Sequence, residues 1–174
     1  MSLALGDTAP PFDLPAVGGI RVSLDGLADR EAVAVVFSCN HCPYVQAWED
    51  RLNDIARDYA PRVAVVAINS NDDRAYPADA FPKMEERARE KRFVFPYARD
   101  ESQEVARAYG AERTPEVFLF DRERRLVYHG AIDDSTDPGG VRVRYLRDAI
   151  EATLAGSEPP VAKTPPVGCT VKWR

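Results

Sequence analysis

Two six-residue runs, Ala32-Val33-Ala34-Val35-Val36-Phe37 and Val63-Ala64-Val65-Val66-Ala67-Ile68, are apolar at every position and rich in β-branched residues. Runs of this kind suit strands covered on both faces. Between them Tyr44, Val45, Trp48, Leu52, Ile55 and Tyr59 recur every three or four residues, which is one apolar stripe of a helix over about 40–59, ended by Pro61. Strand, helix and strand in this order form a βαβ unit, with parallel strands and a right-handed crossover. The chain is therefore expected to be α/β.

The tetrapeptide Cys39-Asn40-His41-Cys42 lies where the first run meets the helix. Unpaired N–H groups and the macrodipole at a helix N-terminus favour negative charge and lower a cysteine pKa. A thiolate is the nucleophile of disulfide exchange, so spacing and context predict dithiol–disulfide chemistry at Cys39 and Cys42. A structural zinc site needs four ligands, and outside the pair only Cys169, His41 and His129 remain. No metal and no cofactor is expected.

The 174 residues suit one domain, 1–174, and the balance of 45% hydrophobic to 29% charged residues is ordinary for a globular chain. A net charge of −5 argues against a nucleic-acid partner. The opening Met-Ser-Leu-Ala-Leu-Gly-Asp lacks a basic segment followed by an apolar one, and no run is long enough to span a membrane. The expectation is a soluble cytoplasmic protein without a membrane partner. In a reducing compartment, three cysteines are better explained by catalysis than by a disulfide framework.

The remaining segments fill out the sheet. Within an N-terminal extension (1–30), Phe12-Asp13-Leu14 and Ile20 to Leu24 flank Val17-Gly18-Gly19 as a β-hairpin. A charged surface helix is expected over 81–91 and a short strand at Phe93-Val94-Phe95. Asp100 and Gln103 pattern as a capping box for a helix ending at Gly110. Residues 116–120 and 125–131 read as an antiparallel hairpin, and Val143, Leu146, Ile150 and Leu154 as one face of a last helix over 142–155. The tail, 157–174, carries four prolines and reads as extended. The sum is a mixed central sheet with helices on both faces.

Four stretches carry a family resemblance: the opening Gly6-Asp7-x-Ala9-Pro10-x-Phe12-x-Leu14-Pro15, the Cys-x-x-Cys after the first core strand, Thr114-Pro115 before the hairpin, and the ending Gly168-Cys169-Thr170-Val171-Lys172-Trp173. Together they resemble the thioredoxin fold, in the branch shared by peroxiredoxins of the alkyl-hydroperoxide-reductase/thiol-specific-antioxidant family and membrane-tethered thioredoxin-like proteins. The resemblance implies a thiol–disulfide oxidoreductase acting on a disulfide-containing protein or a small thiol, with an unknown reductant. It implies a cis Pro115 that leaves the Thr114 backbone as a pairing edge for a substrate strand, and an Arg113 similar to an active-site arginine of peroxiredoxins. Cys39, nearer the helix tip, is expected to be the exposed attacking thiolate and Cys42 the shielded resolving thiol.

The departures set the alternatives. If Cys42 stood in the peroxidatic P-x-x-x-T/S-x-x-C motif, the threonine position would be Cys39 and the proline position Val35, so peroxidase activity ranks second. The buried aspartate that thioredoxins carry six residues before the first cysteine is Val33 here. His41 stands as in the C-P-H-C of bacterial periplasmic disulfide oxidants, where it would stabilise the Cys39 thiolate, while Asn40 replaces the proline and changes the turn. A copper carrier using both cysteines and the distant His129 is a third, weaker reading. Cys169 sits among Val167, Val171 and Trp173; burial of Trp173 would dock the tail and bring this thiol toward the pair as an accessory thiol.

Overall fold

The computed structural model describes residues 2–174. Along the chain lie β1 (Asp13–Ala16), β2 (Ile20–Ser23), β3 (Ala32–Phe37), α1 (Pro43–Tyr59), β4 (Val63–Asn69), α2 (Phe81–Lys91), β5 (Tyr97–Arg99), α3 (Glu104–Tyr109), β6 (Arg113–Thr114), β7 (Glu116–Phe120), β8 (Leu126–Gly130), α4 (Tyr145–Leu154) and β9 (Cys169–Thr170). Seven strands form one mixed sheet in the order β2-β1-β5-β4-β3-β7-β8, and β6 pairs with β9 beside it. The two apolar runs are the central parallel pair, in register from Ala32↔Val63 to Phe37↔Ile68.

Alternation along β3 explains why every residue in it is apolar. Ala32, Ala34 and Val36 face a core built with Trp48, Leu52 and Ile55 of α1, Met84 of α2, and Leu146, Ala149 and Ile150 of α4. Val33, Val35 and Phe37 face the opposite side, against Phe12, Leu24 and the α3 residues Val105, Ala106 and Tyr109. Both faces are dry, as expected of a central strand with helices on either side. The hairpin β1–β2 turns through Gly18 and Gly19 at φ +93° and +72°, a left-handed region that glycine enters freely. Ala16↔Ala98 joins this hairpin to the main sheet.

Four expectations change. The strand placed at 93–95 lies at 97–99. Arg92 closes α2 in the left-handed conformation, the Phe93 N–H bonds Ala88 and the Val94 N–H bonds the Asn53 side chain, so those donors never reach a ladder. Helix α3 lacks the reciprocal Asp100–Gln103 capping box: Gln103 stands at its N-cap without a side-chain cap bond. The Asp100 carboxylate takes the Val105 and Ala106 N–H groups, and Gln103 reaches Ser70 and the tail. Helix α4 begins at Tyr145, because the Asp134 carboxylate holds the N–H groups of Arg142 and Val143. The tail is docked, but Val171 supplies its burial. Trp173 remains 40% exposed under the Arg107 guanidinium. Among the described residues, no helix is long and apolar enough to cross a membrane.

Candidate active site

β3 delivers the chain to the C-terminal edge of the parallel strands, where the Ser38 N–H still bonds the Ile68 carbonyl at 2.8 Å. Cys42 is the N-cap of α1, and Pro43 at the first helical position needs no N–H partner, so the helix starts three residues later than the periodicity suggested. Thr114 lies across both sulfurs. Cys39 Sγ is 3.5 Å from its Oγ1 and Cys42 Sγ 3.4 Å from its carbonyl oxygen. The Thr114–Pro115 peptide is cis. The third thiol also arrives: Cys169 Sγ is 2.7 Å from Cys42 Sγ, and all three cysteines are free. Cys39, Cys42, Thr114, Pro115 and Cys169 thus converge, while Arg113 is exposed on β6 opposite Thr170.

Cys39 differs from expectation in exposure: it is 3% exposed and Cys42 0%. The turn at 76–79 holds Asn40 from one side, and β9 lies against Thr114 from the other, so neither thiol stands free at the helix tip. Charge is also placed differently. Hydrogen bonding from the Cys39 thiol, helped by Cys169 and the Val45 N–H, pulls the Cys42 pKa down against burial. Cys39 is pushed up by its hydrogen bond to Cys42, by burial and by the charge of Asp79. Cys169 is raised to about 11, first by burial and then by Cys42. The two thiols therefore titrate as a coupled pair, with ionisation favoured at Cys42 over Cys39.

Asp79 is a site residue that the sequence did not announce. It is 0% exposed, and its carboxylate accepts the Asn40 N–H at 2.8 Å, Asn69 Nδ2 at 3.1 Å and Asn71 Nδ2 at 3.0 Å. His41 Nδ1 lies 2.8 Å from the same carboxylate, without the alignment of a hydrogen bond. Asn40 is held further by Tyr97, whose hydroxyl donates to its Oδ1, and by the Ala78 carbonyl. A proline at position 40 would remove the N–H that Asp79 accepts. The available signal was the polar loop Asn69 to Asp73 at the end of β4, because α/β sites gather at the C-terminal edge of parallel strands.

Cys39, His41 and Asp79 offer a sulfur, a nitrogen and an oxygen within 4.8 Å of one another, the one such group of donors among the described residues. His129 takes no part. Buried on β8, its Nε2 is 2.6 Å from Glu116 Oε2, and its ring stacks on Phe118. The copper reading thus loses the distant histidine on which it relied. Glu116 in turn accepts the N–H groups of Glu112 and Arg113, fixing the approach to Thr114.

Comparison with known proteins agrees with this geometry. A structure of the hypothetical protein SMc02350 from Sinorhizobium meliloti 1021 is 42% identical, covers 100% of this chain and 97% of its own, and superposes with a TM-score of 0.94. A protein provisionally described as the thiol:disulfide interchange protein DsbE of Chlorobium tepidum is 29% identical over 74% of this chain and 85% of its own, with a TM-score of 0.59. Peroxidoxin BcpB from Mycobacterium tuberculosis is 25% identical over 71% and 82%, also with a TM-score of 0.59. The curated proteins give no match. The fold is thioredoxin-like, the relatives point to redox chemistry in general, and the AhpC/TSA family model matches residues 5–129. The chain belongs to the AhpC/TSA family.

Proposed function

We propose that this protein is a thiol–disulfide oxidoreductase whose Cys39–Cys42 pair cycles between dithiol and disulfide against a disulfide-containing substrate or a small thiol. The observation that carries this reading is the pair itself: two free thiols at the start of α1, both against Thr114. When a substrate disulfide arrives, the proton of Cys39 passes to Cys42, and the Cys39 thiolate attacks one substrate sulfur. The substrate S–S bond breaks, and the departing thiolate takes the proton from Cys42. Cys42 then attacks Cys39 Sγ, forming the internal disulfide and releasing the second substrate thiolate. Cys42 suits the resolving step because it is wholly enclosed beside Cys39. Asn40 and His41 act through Asp79 as positioning residues, and three free thiols fit a reducing, cytoplasmic setting.

The test is trapping. In a Cys169→Ser background, Cys42→Ser exposed to oxidised glutathione should accumulate a stable adduct at Cys39, found by mass mapping. No adduct at either cysteine refutes the reading; an adduct at Cys42 in Cys39→Ser, with Cys39 silent, reverses the roles. The second reading, a peroxidase, draws on the family and on the readily ionised Cys42. The missing threonine and proline leave the developing oxyanion without its donors, so stopped-flow oxidation by hydrogen peroxide should be slow beside disulfide exchange. Fast oxidation dependent on Cys42 alone would promote the peroxidase.

A further inference from the structure

The backbone edge at Thr114 is already occupied. β9 pairs antiparallel with β6, Cys169 opposite Thr114 and Thr170 opposite Arg113, and the Val171 N–H extends the pairing to the Glu112 carbonyl at 2.9 Å. Beyond it the Lys172 N–H bonds Asn71 Oδ1 at 2.9 Å, and the Lys172 carbonyl accepts the Asp72 N–H at 2.8 Å and Gln103 Nε2 at 3.0 Å. The Arg174 N–H reaches Gln103 Oε1 at 3.2 Å. Val171 is buried, and the Trp173 ring carries the Arg107 guanidinium 4.6 Å from its centroid. Gly168 lies so close to Thr114 that a Cβ there would stand 2.1 Å from the Thr114 carbonyl oxygen. The strand is seated by backbone pairing on one side and by the 69–73 loop on the other.

This seating puts Cys169 Sγ 2.7 Å from Cys42 Sγ, nearer than non-bonded sulfurs rest and within about 1 Å of the S–S bond length. Cys42 Sγ donates toward Cys169 Sγ, and both Cys42 and Cys39 lie against Thr114. Cys169 is also the least enclosed of the three. We propose that the tail is a built-in substrate strand, with Cys169 a third redox thiol that exchanges with Cys42. This rests on the reading of Cys39–Cys42 as an exchanging pair. Once the Cys39–Cys42 disulfide has formed, the Cys169 thiolate attacks Cys42 Sγ. The Cys42–Cys169 bond forms, the Cys39–Cys42 bond breaks, and Cys39 leaves as a thiolate that takes up the proton lost by Cys169. No oxidant is consumed beyond the substrate disulfide that made the first bond. Because the tail fills the edge that an extended polypeptide would pair with, the disulfides served by the docked form are of low molecular weight.

The full-length protein is oxidised with oxidised glutathione, quenched with an alkylating agent and mapped by mass spectrometry under non-reducing conditions. The expected product is a Cys42–Cys169 link with Cys39 alkylated, whereas Cys169→Ser should stop at Cys39–Cys42. Gly168→Ala, which keeps all three cysteines but pushes the strand off Thr114, should return the link to Cys39–Cys42. Finding only Cys39–Cys42 in the wild-type chain, with Cys169 alkylated, overturns the third-thiol proposal and leaves the exchange reading standing. Absence of any internal disulfide in both the wild-type and Cys169→Ser proteins overturns both. A Cys42–Cys169 link without Cys39–Cys42 in Cys169→Ser overturns the proposed route. Gly168→Ala that keeps the wild-type link overturns the role of the strand.

Discussion

Asp79→Asn isolates the electrostatic part of the site. The carboxylate and Cys39 Sγ lie within 4.8 Å. With an effective dielectric of about 20, two unit charges at that separation repel by about 3.5 kcal/mol, or about 2.5 pKa units on the thiol. Hydrogen bonds from Asn40, Asn69 and Asn71 spread the aspartate charge and work against this repulsion. Because Asp79 opposes ionisation of Cys39, the substitution should lower the Cys39 pKa. The assay follows ultraviolet thiolate absorbance against pH in a Cys42→Ser, Cys169→Ser background, where one thiol remains. Asparagine also points an amide N–H₂ at groups that donate, costing about 1–3 kcal/mol in urea unfolding. A midpoint that stays put or rises, in a protein that urea shows to be folded, would refute the reasoning.

Glu116→Ala should leave His129 and the Glu112 and Arg113 N–H groups without a buried acceptor, costing about 3–5 kcal/mol by urea unfolding, with slower exchange as Thr114 loosens. A loss under about 1 kcal/mol would mean that water takes the place of the carboxylate. The lowered pKa of Cys42 keeps the dithiol pair anionic below the ordinary thiol range. Its exchange rate with oxidised glutathione should therefore stay flat from neutral to mildly acidic pH and fall only on stronger acidification. A rate that instead rises about tenfold per pH unit up to an ordinary thiol pKa of about 8.5 would contradict the lowered Cys42 pKa.

Much of the scaffold was legible because single residues leave little freedom. The runs 32–37 and 63–68 read as strands covered on both faces and are the central parallel pair, and Gly18-Gly19 reads as the hairpin turn that it forms. Cys39 and Cys42 declared themselves by spacing and by the helix that follows. What escaped was decided by partners distant in sequence. Phe93-Val94-Phe95 has strand composition, yet Ala88 and Asn53 claim its N–H groups. Asp79 is one acidic residue in a turn, and its meaning comes from three asparagines and a histidine gathered by the ends of β3 and β4. The tail read as extended, which it is. Its pairing on Thr114 depends on a gap that only Gly168 fits and on Gln103, which the sequence had assigned to a helix cap.

The most direct test of the account is an equilibrium titration of the purified protein in glutathione buffers of graded redox ratio, with free Cys39 and Cys42 counted by quenched alkylation and mass mapping. Exchange chemistry predicts one reversible two-electron transition, about 30 mV per tenfold change in the ratio of oxidised to reduced protein, identical when approached from either side. In Cys169→Ser the transition should consume Cys39 and Cys42 together. Thiols that stay reduced across the whole range, or that pass irreversibly to higher oxidation states, would contradict it.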